Sequence, residues 1–269
     1  MFKAGRKSLA SASTCLVLAT ILLPARSDPV LPANPSAEEI LRATDQVRNP
    51  EQPFRVTLGL VEYIHGKARD RVELVVHARQ DEGTGRFDNL VRYAGPPRDT
   101  GKMVLLRGSN LWFYDPASKA SIRISAQQRL TGQAAEGDVL AVNLARDYVT
   151  KIICTMKLQD ADRQERECWQ LEMTAATPEA IYRRIEYWIE RGTYHPIKGK
   201  FYADSGRLLK IAYYHKYEEQ LGRARPLEVI LIDAVNPNLA TVIDYAGYRF
   251  EDVPPAWFER EYLTRMPPE

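Results

Sequence analysis

Residues 103–115, MVLLRGSNLWFYD, constrain the fold more than any other stretch. Two apolar runs flank Gly108-Ser109, a pair suited to a two-residue hairpin turn with a positive-φ first position. The implied register sets Leu105 opposite Trp112 and Met103 opposite Tyr114 on one side of the hairpin, and Leu106 opposite Leu111 on the other. Both faces are then apolar. A sheet with one solvated face alternates apolar and polar residues, so each face of this hairpin is covered, or one of them lines a cavity. Asp115-Pro116-Ala117-Ser118 supplies the next turn, with Pro fixing φ. Beyond it, the sequence predicts two short helices over residues 125–131 and 138–146, joined by Gly- and Ala-rich chain. They read as a lid over a sheet, or as ordinary cover of its core.

The rest of the chain repeats the strand pattern. Long strands are predicted over residues 54–65, 69–80 and 87–93. After the two helices they resume over 148–158, 168–175, 181–191, 195–203, 207–217, 227–234 and 241–250. That gives eleven to thirteen consecutive strands, antiparallel by their short connections. A flat sheet of that size does not persist; it curls or splits. Ahead of the strands, Ser36-Ala37-Glu38-Glu39 is a capping box that opens one amphipathic helix, which Asn49-Pro50 ends. Behind them, Val253-Pro254-Pro255 leads into a short helix over 256–263 carrying Trp257, Phe258 and Leu263.

The first 27 residues read as a signal peptide: Lys3, Arg6 and Lys7, an apolar stretch from Leu9 to Leu23, and Ala25-Arg26-Ser27 as the cleavage site. Residues 28–35 form a Pro-rich arm, and residues 36–269 read as one domain. The basic character belongs to the leader. Without it, 33 Lys and Arg stand against 35 Asp and Glu, which removes the electrostatic case for binding nucleic acid. Two cysteines remain after the leader, Cys154 and Cys168, on consecutive predicted strands. In an exported chain such a pair predicts a disulfide.

Catalytic signatures are missing from the sequence. His65, His77, His195 and His215 have no zinc-ligand spacing, and there is neither a G-x-S-x-G elbow nor a nucleotide-binding glycine loop. His215 reads as a partly exposed strand residue, and the acidic pairs near Asp160 and Glu165 read as a solvated hairpin tip. The expectation is a protein that is not an enzyme and needs no metal or cofactor. Leu58, Leu74, Val76, Trp112, Tyr114 and Trp188 are the candidate wall of an apolar cavity, against the plainer reading that they fill a core.

The order of these parts resembles the exported outer membrane lipoprotein-sorting proteins, relatives of LolA within the LolA/LolB superfamily. The likeness is carried by Trp112-Phe113-Tyr114-Asp115-Pro116, Leu144-Ala145-Arg146-Asp147-Tyr148, Tyr182 to Trp188, the run from Phe201 to Lys210, and the ending from Val253 to Leu263. It covers essentially the whole chain after the leader. The resemblance implies a mainly β fold, an incomplete antiparallel β-barrel of about eleven strands with helices plugging its concave side. It also implies an apolar cavity that takes up acyl chains, carriage of lipid or lipoprotein across the periplasm with transient membrane contact, and partnership with an RND/MMPL-type exporter. The chain is longer than LolA itself and adds the cysteine pair, which leaves free lipid or a sterol- or hopanoid-like ligand open as cargo. The second reading is a non-catalytic adaptor of an envelope complex, docking through the aromatic ending.

Overall fold

The computed structural model describes residues 34–266. The expected signal peptide and residues 28–33 of the expected arm lie outside them. Helix α1 (Ala37–Arg48) begins where the capping box sets it: the Glu39 amide donates to Ser36 Oγ at 3.2 Å and the Ser36 amide to Glu39 Oε2 at 2.8 Å. Ile40, Leu41, Ala43, Thr44 and Val47 are buried along one side, so α1 is held by the sheet it packs on rather than by its own propensity.

The strands are β1 (Phe54–Ile64), β2 (Lys67–Gln80), β3 (Phe87–Gly95), β4 (Met103–Arg107), β5 (Asn110–Asp115), β6 (Ala120–Arg123), β7 (Arg129–Thr131), β8 (Ala134–Ala135), β9 (Tyr148–Gln159), β10 (Glu165–Ala175), β11 (Arg184–Glu190), β12 (Pro196–Tyr202), β13 (Leu208–Gln220), β14 (Arg223–Asp233) and β15 (Leu239–Phe250). Thirteen of them form one antiparallel sheet in the order β6-β5-β4-β3-β2-β1-β15-β14-β13-β12-β11-β10-β9. The first long strand therefore pairs with the last, and β6 and β9 remain as separate edges. The sheet curls without closing, the incomplete barrel expected from the sequence.

Local pairing follows turn chemistry. Leu105 pairs with Trp112, Met103 with Tyr114 and Leu106 with Leu111, around Gly108 at φ +56°. Both faces of this hairpin are covered. Val104 and Leu111 enter the main core on the concave side. On the convex side Met103, Leu105 and Tyr114 pack with Leu90, Val253, Phe258 and Leu263, and Trp112 joins them. The ending that covers them is two 3-10 turns, Pro255–Phe258 and Arg260–Arg265, where one short helix was expected. Phe258 and Leu263 are completely buried, and the Trp257 ring lies edge-on to His77 at 5.3 Å.

Two further expectations are corrected. Residues 125–131 and 138–146 do not form two helices. The chain there makes a turn, the β7–β8 hairpin, a 3-10 turn (Glu136–Val139) and a four-residue helix α2 (Leu144–Asp147). Its backbone groups bond to side chains of the sheet and of α1 instead of to the next helical turn, and no apolar stripe repeats often enough to favour a helix. The disulfide is also absent: Cys154 and Cys168 are free thiols. The predicted strands exist, but their register sets Cys168 opposite Met156 and Cys154 opposite Gln170. Diagonal neighbours two residues apart on paired strands lie about 7–8 Å apart, beyond the reach of a disulfide. Cys168 is buried instead with Trp188, Ile197 and Leu158 on the convex face.

Candidate functional site

Residues 124–147 cross the concave face as a strap, and an apolar cavity of about 100 Å³ lies beneath it. Its floor comes from alternate residues of the sheet: Phe54 and Val56 on β1, Ala212 and Tyr214 on β13, Val229 and Leu231 on β14. Residues 137–142 of the strap close it from above, and Arg48 and Asn49 close the side at the end of α1. Pockets for drug-sized ligands hold roughly 300–1,000 Å³. The conformation described is closed, and a long apolar ligand requires the strap to move.

Polar tethers add to the apolar packing of Val139, Leu140, Ala141 and Leu144 in holding the strap. The Gln133 amide donates to Thr241 Oγ1 at 2.8 Å. Asn89 grips Ala141 twice: the Ala141 amide donates to Asn89 Oδ1 at 2.8 Å, and Asn89 Nδ2 donates to the Ala141 carbonyl at 3.0 Å. Asn49 Nδ2 donates to the Val142 carbonyl at 2.9 Å, and the Ala145 amide donates to Asp45 Oδ2 at 2.8 Å. Tyr182 donates to Asp138 Oδ1 at 2.6 Å, while Lys210 pairs with Asp138 and also donates to the Gln133 carbonyl at 3.2 Å. Close backbone approach explains two strap glycines. A Cβ at Gly132, which has φ +50°, would sit 2.2 Å from Thr241 Oγ1. One at Gly137 would sit 2.9 Å from Ile181 side-chain carbons.

Three titratable groups on or beside the strap are perturbed by burial. Glu136 is 3% exposed; it accepts from Tyr93 at 3.1 Å through Oε1, while its Oε2 is buried without a partner. Desolvation pushes its carboxyl up to about 7 against the opposing effect of the Tyr93 bond. Desolvation pushes Asp45 up to about 6, although Arg48 and the Ala145 amide act to lower it. Tyr182 is held well above the ordinary phenol range, first by burial and then by the Asp138 charge.

Of the six wall residues expected from sequence, Val76 lines this cavity. Leu58 and Leu74 point into the same concave core, fully buried in its filled part. Trp112 and Tyr114 lie on the convex face under the C-terminal turns, and Trp188 lies on the convex face with Cys168. The tyrosines Tyr148, Tyr182, Tyr214, Tyr245 and Tyr248, which do line the cavity, went unassigned. Two of them carried a sequence signal, since Ala212 and Tyr214 share strand parity, as do Ile243 and Tyr245. Among the described residues no group of three or more His, Cys, Asp or Glu side chains is placed to hold a metal. His215 lies between Glu228 (2.9 Å) and Asp162 (2.7 Å), an ion-pair arrangement on the sheet surface.

An open antiparallel sheet with a strapped apolar concavity defines the LolA-like class of binding folds. A family model described as that of an uncharacterized protein matches residues 85–265, and the chain belongs to that family, a LolA-like one. A LolA superfamily protein from Nitrosomonas europaea is 29% identical, with a TM-score of 0.75 over 85% of this chain and 100% of that one. A domain from Vibrio parahaemolyticus named for outer membrane lipoprotein sorting is 18% identical, with a TM-score of 0.71 over 85% of this chain and 98% of that one. A DUF1329 family protein from Desulfovibrio piger is 19% identical, with a TM-score of 0.72 over 84% and 97% of the two chains. No curated protein matches the sequence significantly.

Proposed function

We propose that this protein is a periplasmic carrier that takes lipid, or the acyl moiety of a lipoprotein, into the cavity beneath its strap and moves it between envelope membranes. The observation that carries the reading is an apolar cavity roofed by a strap that presents Val139, Leu140 and Val142 to it and is tethered at its polar atoms. Phe54, Val56, Val229 and Leu231 gain from contact with hydrocarbon, at about 25 cal/mol per Å² of apolar area removed from water. The strap is held by its packed apolar residues and by hydrogen bonds worth about 1 kcal/mol net each; when it lifts, hydrocarbon can replace the first contacts and water the second. An entering acyl chain thus offsets the loss of the tethers and also keeps the floor dry. The likeness to a LolA superfamily protein supports the same reading, and the resemblance noted from the sequence adds an RND/MMPL-type exporter as the expected partner. Transfer of a fluorescent phospholipid from donor to acceptor vesicles tests it. The carrier predicts transfer that saturates with protein concentration and falls when Val229, on the floor, is replaced by Glu. Transfer at the protein-free rate sinks the reading.

One observation favours the adaptor reading. Edge strand β9 exposes Val149 (69%), Ile153 (49%) and Ile152 (40%), apolar side chains on a strand with one free edge. The aromatic ending is not available for docking, because Phe258 and Leu263 are buried. An adaptor predicts co-purification with an envelope partner that Ile153→Lys abolishes, with no lipid transfer by the protein.

A further inference from the structure

Arg48 is the charged residue of the cavity wall that the fold leaves poorly matched. It sits in the last turn of α1, lines the cavity, and has a side chain only 18% exposed. A guanidinium offers five N–H donors. Its contact with a carboxylate is Asp45 Oδ1 at 3.4 Å, a long bond for a charged pair. The other Asp45 oxygen is already occupied by the Ala145 amide. Burial also favours the protonated form of Asp45, which weakens it as a counter-charge. The acid that does line the cavity, Asp138, is paired with Lys210 and Tyr182. The hydroxyls of Tyr187, Tyr214 and Tyr245 also interact with Arg48, but burial holds all three neutral, so they offer it no counter-charge. A half-buried cation beside apolar walls and phenol donors is a site for an anion attached to hydrocarbon.

We propose that Arg48 anchors the acidic head of the ligand, so that the cavity selects a single-chain acidic amphiphile over a neutral one. The head is a carboxylate or a phosphate monoester set against the Arg48 guanidinium, with the tyrosine hydroxyls of Tyr214 and Tyr245 as further donors. The chain lies over Phe54, Val56, Val229 and Leu231. Lysine in this place would supply the charge without the planar fork that binds two oxygens together. The inference rests on the carrier reading and adds the ligand's charge to it.

The test compares palmitate, 1-palmitoyl lysophosphatidate and hexadecanol as displacers of N-phenyl-1-naphthylamine from the protein at pH 8. The wild type is expected to bind at least one of the acids roughly tenfold more tightly than the alcohol, the ratio that about 1.4 kcal/mol of added interaction produces. The stronger of the two acids identifies the head. Arg48→Met keeps the aliphatic stem and is expected to bring the acids down to the affinity of the alcohol without moving the alcohol, whereas Arg48→Lys retains part of the preference. Equal displacement by acids and alcohol in the wild type overturns the anchor and leaves the carrier standing, and this comparison needs no variant. A preference that survives in Arg48→Met overturns the assignment to Arg48. Absence of probe binding, and of any displacement, overturns the carrier and the anchor with it.

Discussion

Tyr93 on the sheet donates a hydrogen bond of 3.1 Å to Glu136 on the strap, and both residues are buried. Glu136 has a raised carboxyl, about 7 against an ordinary 4.5. A raised folded-state value means that the closed strap binds the proton more tightly than the open one. The contribution is therefore complete below about pH 4.5 and is lost as pH rises through 7. Its size is on the order of 3 kcal/mol for a shift of this kind. Amide exchange of residues 124–147, corrected for the intrinsic pH dependence of exchange, is expected to show protection falling between pH 5 and pH 8. Glu136→Gln should remove the part of that dependence centred near pH 7 and leave the smaller part that Asp45, raised to about 6, contributes at lower pH. A flat profile in the wild type would contradict the assignment.

Asn89 tethers the strap through two bonds. It is fully buried and satisfies both backbone groups of Ala141. Asn89→Ala leaves a buried N–H and a buried C=O without partners and is expected to cost roughly 2–4 kcal/mol in urea denaturation. The same variant should take up an acyl probe faster, because the strap opens more readily. A variant that is destabilised yet unchanged in uptake rate would separate Asn89 from the gate.

Gly132 and Gly206 make a matched pair. Both have positive φ, +50° and +79°, but only Gly132 lies against other chain. Gly206→Ala should cost about 1 kcal/mol, the conformational penalty alone. Gly132→Ala meets Thr241 and Glu62 as well, and should cost more while exposing the amide of Gln133 to exchange. Equal losses of stability would show that the close approach at Thr241 is unimportant.

The two cysteines should differ in reactivity. Cys154 is exposed, whereas Cys168 is buried and its thiol is pushed up to about 12, chiefly by desolvation. A thiol reagent applied to residues 28–269 is expected to modify Cys154 under native conditions and Cys168 only after unfolding. Reductant should leave the thermal midpoint unchanged. A midpoint that falls on reduction would mean that a disulfide forms after all.

The contrast between these residues explains what could be read from the sequence. The pairing of Met103 with Tyr114 rests on a two-residue turn and strict alternation, both local, and it was legible. The strands that hold Cys154 and Cys168 were legible too, but their relative register was not, because it is set by the turn at residues 160–164, inside the stretch between the two expected strands. The strap defeated periodicity for a stronger reason. Its backbone partners are side chains such as Asn89 and Thr241, 52 and 108 residues away, so no local window contains what stabilises it. Arg48 carried no distinguishing signal either: an arginine in the last turn of a helix is what the helix dipole favours anyway. Its aim into the cavity follows from how α1 lies on the sheet. Trp112 and Trp188 went to the convex face because an apolar hairpin has two sides, and composition does not say which side is concave.

Native mass spectrometry of residues 28–269, purified from a periplasm without detergent, tests the central claim most directly. A carrier is predicted to retain an amphiphile that organic solvent releases, to regain it when incubated with membrane lipid extract, and to lose both properties in Val229→Glu. A bare protein mass as purified, unchanged by the extract, would contradict the account and leave edge strand β9 as the feature that still needs a partner.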